Sequence, residues 1–257
     1  MGVVSVKSVK SGEFGAKRNP RVVIKLSGEA LATEQGASSL SSVSNLCDQQ
    51  LSFVVDQLIR AAQTGVQIGI VVGGGNFMRG ATAKSNLIRR DTADQIGMLA
   101  TLMNAIALAD VFLAKGHIAK IYSAFEVPAL ATRFSARAAE ADLSKGHITI
   151  YAGGTGNPFC TTDSAAVLRA IETQADLVIK ATKVDGIYNK DPKKYSDAVR
   201  YDQLTYAEAL EKKLEVMDLS AFILCQTFKL PIRVIDLYQP DAIYLALTGE
   251  VLGTLVN

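Results

Sequence analysis

At 257 residues, with 49% hydrophobic and 20% charged side chains, the chain is long enough to bury a full core and is not disordered by composition. Its 27 Lys and Arg nearly cancel its 25 Asp and Glu, so there is no broad basic field to hold a nucleic-acid backbone. Cys47, Cys160 and Cys225 stand at neither metal-ligand nor redox spacing. With no apolar signal core and no apolar run of about 18 residues, the chain is expected to be cytoplasmic and reduced, without a membrane span.

Residues 1–20 mix Lys, Ser and Gly and read as a flexible tail, leaving 21–257 as one domain. A β-branched strand is predicted over Val22–Leu26, followed by Ser27-Gly28, and a helix over Leu51–Ala62. The strand Val66–Val72 runs into Gly73-Gly74-Gly75, with Arg79, Arg89 and Arg90 beyond it as cations suited to phosphate oxygens or to a solvated turn. A long helix over Thr92–Ala114 leads to strands at Ile118–Tyr122 and His147–Tyr151. His117 and His147 each follow Lys-Gly just before a strand and read as turn residues.

The stretch Ala152–Ala166, AGGTGNPFCTTDSAA, carries the most information. Gly153, Gly154 and Gly156 permit a backbone that side chains forbid, and Asn157-Pro158 turns it toward hydroxyls and one acid. Thr161, Thr162, Asp163 and Ser164 fall where a helix over Asp163–Thr173 begins, and a helix start offers unpaired N–H groups to an anion. A strand at Leu177–Lys180, a helix at Val216–Lys229 and a strand at Ile232–Ile235 complete the alternation. That alternation implies an α/β fold with a mostly parallel sheet covered on both faces. Ligands of such sheets gather at the carboxyl ends of the strands, which is where the three glycine loops fall. Neither GxxxxGK[ST] nor a GxGxxG between strand and helix is present, so a P-loop enzyme and a dinucleotide oxidoreductase both lose ground.

KLSGEAL (Lys25–Leu31), VVGGGNFMRG (Val71–Gly80), GMLATLMNAIAL (Gly97–Leu108), GGTGNPFCTTDSAA and KATKVDGIYNKDP (Lys180–Pro192) together resemble the bacterial UMP kinases of the amino acid kinase superfamily. VMDLSAF and KLPIRV extend the resemblance over about Arg21–Val256. It implies a three-layer α/β/α fold with a continuous eight-stranded, mostly parallel sheet, an acceptor lobe over about 21–160, an ATP lobe over about 161–257, and a homohexamer. It implies transfer of the ATP γ-phosphate to UMP, with Mg2+ accompanying ATP and UTP as a competitive inhibitor. Carried over by position, it puts Lys25, Leu26, Ser27, Gly28, Gly75 and Arg79 at the ATP phosphates, and Thr182, Tyr188 and Asp191 at the nucleoside end of ATP. Gly74, Asp94, Thr155, Gly156, Asn157, Pro158, Phe159, Cys160, Thr161 and Thr162 would hold UMP.

In that reading Lys25, inside the apolar VVIKL, bridges donor and acceptor phosphates, and Lys180 or Lys183 is the second catalytic cation. Asp163 resembles the acid that positions the lysines, and Asp94 the acid that accepts from the ribose hydroxyls; as structural residues they read as a helix cap and a first-turn acid. The Ser-rich Ala32–Cys47 replaces a glycine and Ile-Asp segment that the resemblance ties to GTP activation, so little GTP activation is expected. Two other readings stay open at this point. One is a different small-acceptor kinase of the superfamily; the other is a non-catalytic nucleotide-binding or storage protein on the same fold.

Overall fold

The computed structural model describes residues 19–32, 46–78, 87–214 and 216–257. The expected tail, Arg79 and most of the Ser-rich segment lie outside these residues. In chain order the elements are β1 (Arg21–Leu26), α1 (Asp48–Gln63), β2 (Gln67–Val72), α2 (Arg90–Ala114), β3 (Ala119–Ser123), β4 (Thr132–Arg133), α3 (Ala136–Ser144) and β5 (Ile148–Ala152). There follow α4 (Thr162–Glu172), β6 (Leu177–Thr182), β7 (Ile187–Tyr188), β8 (Arg200–Tyr201), β9 (Gln203–Leu204), α5 (Tyr206–Glu211), α6 (Leu219–Phe228), β10 (Ile232–Asp236), α7 (Ala242–Leu247) and β11 (Thr254–Val256).

The main sheet has nine strands in the order β4-β3-β5-β2-β1-β6-β10-β11-β9, and β7 and β8 form a separate ribbon. The count exceeds the expected eight; β4 and β9 are two-residue strands at the two edges, too short to show a period in sequence. All pairings in the main sheet are parallel except β10 with β11. Its centre is β1, paired on one side to β2 and on the other to β6, so the chain order reverses there and a crevice opens at the carboxyl ends.

Alternation along β1 separates the two cores. Val22, Ile24 and Leu26 join the apolar cluster under α1, α2 and α7, whereas Val23 joins the cluster under α3, α4 and α6. Lys25 therefore emerges on the α4 side. The predicted strands and helices all form, with ends displaced by at most three residues, while α3, α5 and α7 carry no long apolar period and escape prediction. One helix, α2, is long and apolar enough by composition to cross a membrane, its most apolar 18-residue stretch having a mean hydropathy of 1.9. In the fold it lies on the sheet, in contact with β2, β3 and β5.

Helix α7 begins at Asp241, whose side chain makes no capping bond. Buried Gln57 of α1 supplies the missing acceptor: its Oε1 takes the Ile243 N–H at 3.0 Å. Gln57→Leu should therefore leave buried amides unpaired and lower the unfolding free energy by about 1–3 kcal/mol. Urea titration should show a lower midpoint at an unchanged slope.

Candidate active site

Lys25 of β1 and Lys180 of β6 are register partners on adjacent parallel strands, so their side chains rise from the same face side by side. Two ammonium groups in that position repel each other, and α4 lays Asp163 between them. Asp163 Oδ2 accepts from Lys180 Nζ at 2.7 Å, and Oδ1 lies 3.1 Å from Lys25 Nζ as an ion pair rather than an aligned hydrogen bond. Lys180 also donates to the Val216 carbonyl at 2.7 Å. Burial alone would push the Asp163 carboxyl up, but the summed attraction of Lys25 and Lys180 outweighs it and holds the group below the usual carboxylate range. Lys183 is not part of this cluster: it is half exposed and faces Glu29 at 3.7 Å. Asp163 is not the helix cap either, since Thr161 is the N-cap and takes the Asp163 N–H at 3.0 Å.

On one side of the cluster, α2 and the loop after β5 enclose a cavity of about 280 Å3. Gly74, Met78, Arg90, Asp94, Gly97, Met98, Thr101, Gly154, Thr155, Asn157, Cys160, Thr161 and Thr162 line it. On the other side, Lys180, Thr182, Tyr188, Asp191 and their neighbours line a second cavity of about 480 Å3. Thr162, next to Asp163, lines the first cavity and Lys180 lines the second, so both adjoin the cluster. A larger cavity of about 640 Å3 sits at the β3–β4 edge, remote in sequence from every glycine loop.

The glycines let backbone meet backbone. A Cβ at Gly28 would lie 2.8 Å from both the Gly73 carbonyl and the Gly75 nitrogen, so the loops after β1 and β2 pack in direct contact. At Gly74 a Cβ would come within 2.6 Å of the Gly97 carbonyl on α2. Leu26 is fully buried, so its side chain cannot meet a ligand. Its carbonyl accepts from the Gly73 N–H at 2.8 Å. Ser27 precedes a 3-10 turn over Gly28–Leu31.

Asp94 accepts from Arg90 Nε at 3.0 Å and from the Phe159 N–H at 3.0 Å, which ties the first turn of α2 to the loop after β5. Phe159 has a left-handed backbone (φ 66) and, with Gly156 and Pro158, shapes that loop without lining the cavity. Arg90, which reads in sequence as part of a solvated turn, is a wall of the site.

Three further residues escape the sequence reading. Thr101 and Asn104 are buried polar groups on α2, detectable only as polar positions in the otherwise apolar GMLATLMNAIAL. Asp218 caps α6 by taking the Ala221 N–H at 2.9 Å, and accepts from Thr161, Ser164 and Ser220. Burial would raise Asp218, but these hydrogen bonds more than offset it and hold the carboxyl low. An acid before an apolar run is the usual signature of a helix start and reveals nothing of the partners.

Because Asp163 titrates below its ordinary value of about 3.9, its contribution to stability is complete above that pH and disappears as pH falls through the lowered value. Asp163→Asn should destabilise the neutral-pH protein by at most about 3–5 kcal/mol, less to the extent that the lysines stay solvated. Thermal melts of both proteins from pH 7 down to pH 2 should show the gap closing only in the acid limb.

With this geometry in hand, comparison with known proteins is informative. Residues 20–236 match the amino acid kinase family. A uridylate kinase of Francisella tularensis subsp. holarctica is 45% identical over 238 residues, covering 92% of this chain and 93% of that protein. A uridylate kinase of Acinetobacter baylyi is 44% identical over 246 residues, covering 95% and 99%. The crystal structure of UMP kinase from Bacillus anthracis superposes with a TM-score of 0.87 at 33% identity, covering 94% of this chain and 97% of that one. The chain belongs to the amino acid kinase family, within it to the uridylate kinases.

Proposed function

We propose that the protein is a nucleoside monophosphate kinase that transfers the γ-phosphoryl group of ATP to UMP, giving UDP and ADP. The observation that carries this is the Lys25–Asp163–Lys180 cluster adjoined by two cavities. UMP occupies the cavity between α2 and the acceptor loop, with Asp94 toward its ribose. ATP lies with its phosphates along Ser27-Gly28 and Gly75 and its nucleoside end near Thr182, Tyr188 and Asp191. Residues of about 21–160 form the acceptor lobe and about 161–257 the ATP lobe.

A nucleotide monophosphate has a second pKa near 6, so it arrives largely as a dianion and needs no general base. One of its oxygens attacks the γ-phosphorus in line, and the bond to the β–γ bridging oxygen breaks as ADP departs. The difficulty is to bring two polyanions together, and positioned cations remove it. Lys25 and Lys180 bridge donor and acceptor phosphates, while Asp163 keeps the two ammonium groups apart and aimed. Among the described residues no cluster of three or more His, Cys, Asp or Glu could cage a metal ion. Mg2+ would accompany ATP, held mainly by its phosphates and water, and would neutralise phosphate charge there.

The active form is a homohexamer in the cytoplasm, and Ile96, Leu99 and Met103, exposed at 36%, 51% and 49% along one side of α2, supply apolar surface for association. UTP competes for the UMP cavity. A coupled ADP-release assay against UMP, CMP, AMP, carbamate and acetylglutamate should show strong preference for UMP, because a site built to pair with uracil leaves groups unpaired with cytosine. Equal turnover of UMP and CMP would remove the assignment. Lys25→Ala should lower kcat by about a hundredfold or more with little change in UMP binding. Normal turnover with only a raised ATP requirement would reduce Lys25 to a binding role.

A further inference from the structure

Helix α2 is bonded to both substrate loops from one buried face. Thr101, 2% exposed, accepts the Gly153 N–H at 2.7 Å and donates to the Met98 carbonyl at 2.7 Å, so its hydroxyl hydrogen and one lone pair are engaged. One turn on, Asn104 is fully buried and donates to the Gly73 carbonyl at 2.6 Å and to Asn76 Oδ1 at 2.8 Å. Its own Oδ1 accepts from Asn76 Nδ2 at 3.0 Å, so the two carboxamides face each other reciprocally. Gly153 opens the acceptor loop after β5, and Gly73 opens the loop after β2. These loops leave neighbouring strands, yet a strand pairing governs only where they start, not how their tips are spaced.

A helix is a stiff rod with a rise of about 1.5 Å per residue, so groups three positions apart on one face form a ruler. From this we infer that Thr101 and Asn104 are positioning residues, fixing the gap between the loop after β2, where Gly75 meets the ATP phosphates, and the loop after β5, which holds UMP. Neither side chain has to touch a reacting atom. The inference rests on the proposed reaction: phosphoryl transfer is the step whose rate falls by about a hundredfold for a 1 Å misplacement, whereas binding of one substrate alone tolerates such a shift.

The test separates turnover from binding. Thr101→Val keeps the shape and deletes the acceptor of the Gly153 N–H, Thr101→Ser restores it, and Asn104→Ser shortens the second attachment. For each, kcat is measured with MgATP and UMP, and the dissociation constants of UMP alone and of ATP alone by calorimetry. Asn104→Ser should lose about tenfold or more in kcat while both dissociation constants move by less than about twofold; Thr101→Val, at a residue that also lines the UMP cavity, should lose as much in kcat with the ATP dissociation constant held within about twofold and any rise for UMP well short of the loss in kcat. Thr101→Ser should recover at least about half of the lost turnover. The double variant should lose little more than the worse single one, because either break releases the ruler. Should Thr101→Val fail to fold, Thr101→Ala, which leaves room for a water at the amide, carries the same comparison. Unchanged kcat, a UMP dissociation constant that rises as much as kcat falls, or fully multiplicative losses would each overturn the inference. Absence of UMP phosphorylation by the wild-type protein would instead remove the reading on which it rests.

Discussion

Two lysines are forced side by side by the register of the central strands, and one carboxylate makes that arrangement tolerable. The pairing of β1 with β6 sets Lys25 beside Lys180. Without a counter-charge, the repulsion and the loss of hydration would oppose the very pairing at the centre of the sheet. Asp163 supplies one negative charge to two positive ones, so the cluster keeps a formal excess of +1 at the mouth of the crevice. It is compensated enough to fold while its net charge stays positive.

Asp163 can do this because both ends of its own segment are anchored. Thr161 caps α4 and at the same time donates to Asp218 at the start of α6, while Ser164 adds a second link at 3.0 Å. Asp218 thus joins the acceptor-loop end of α4 to the segment that presents the Val216 carbonyl to Lys180. The acid, both lysines and the capping network form one polar layer along the α4 face of the sheet, while the opposite face of β1 is purely apolar. A one-residue slip of β1 would send Lys25 into that apolar core, so chemistry and register specify each other.

Much of this was legible in sequence and some was not, for identifiable reasons. Val22–Leu26 and Val66–Val72 announce themselves as strands because a fully covered parallel strand must be apolar throughout, and the glycine loops follow because backbone must approach backbone there. Lys25 stood out as a charge inside such a strand. The choice between Lys180 and Lys183 was invisible, since it depends on which residue pairs with Lys25 across a strand contact. Thr101, Asn104 and Asp218 were equally hidden: a polar residue on an apolar helix shows that a partner exists, and only the fold says which one. The short α3, α5 and α7 have too few turns for a period to emerge.

The order of strands has a consequence for how this protein is made. At the foot of the central strand pair the Arg21 N–H bonds the Asp176 carboxylate across 155 positions of sequence, so β1 finds its second neighbour only after most of the chain has been synthesised. Until α4 and β6 have left the ribosome, Lys25 has neither its acid nor its companion lysine. A nascent chain that stops earlier can assemble the β3-β5-β2-β1 half of the sheet and yet lacks Asp163 and Lys180 beside Lys25. The long separation makes docking of β6 a late and entropically demanding step. The charged cluster at the centre of the sheet is therefore completed only toward the end of assembly.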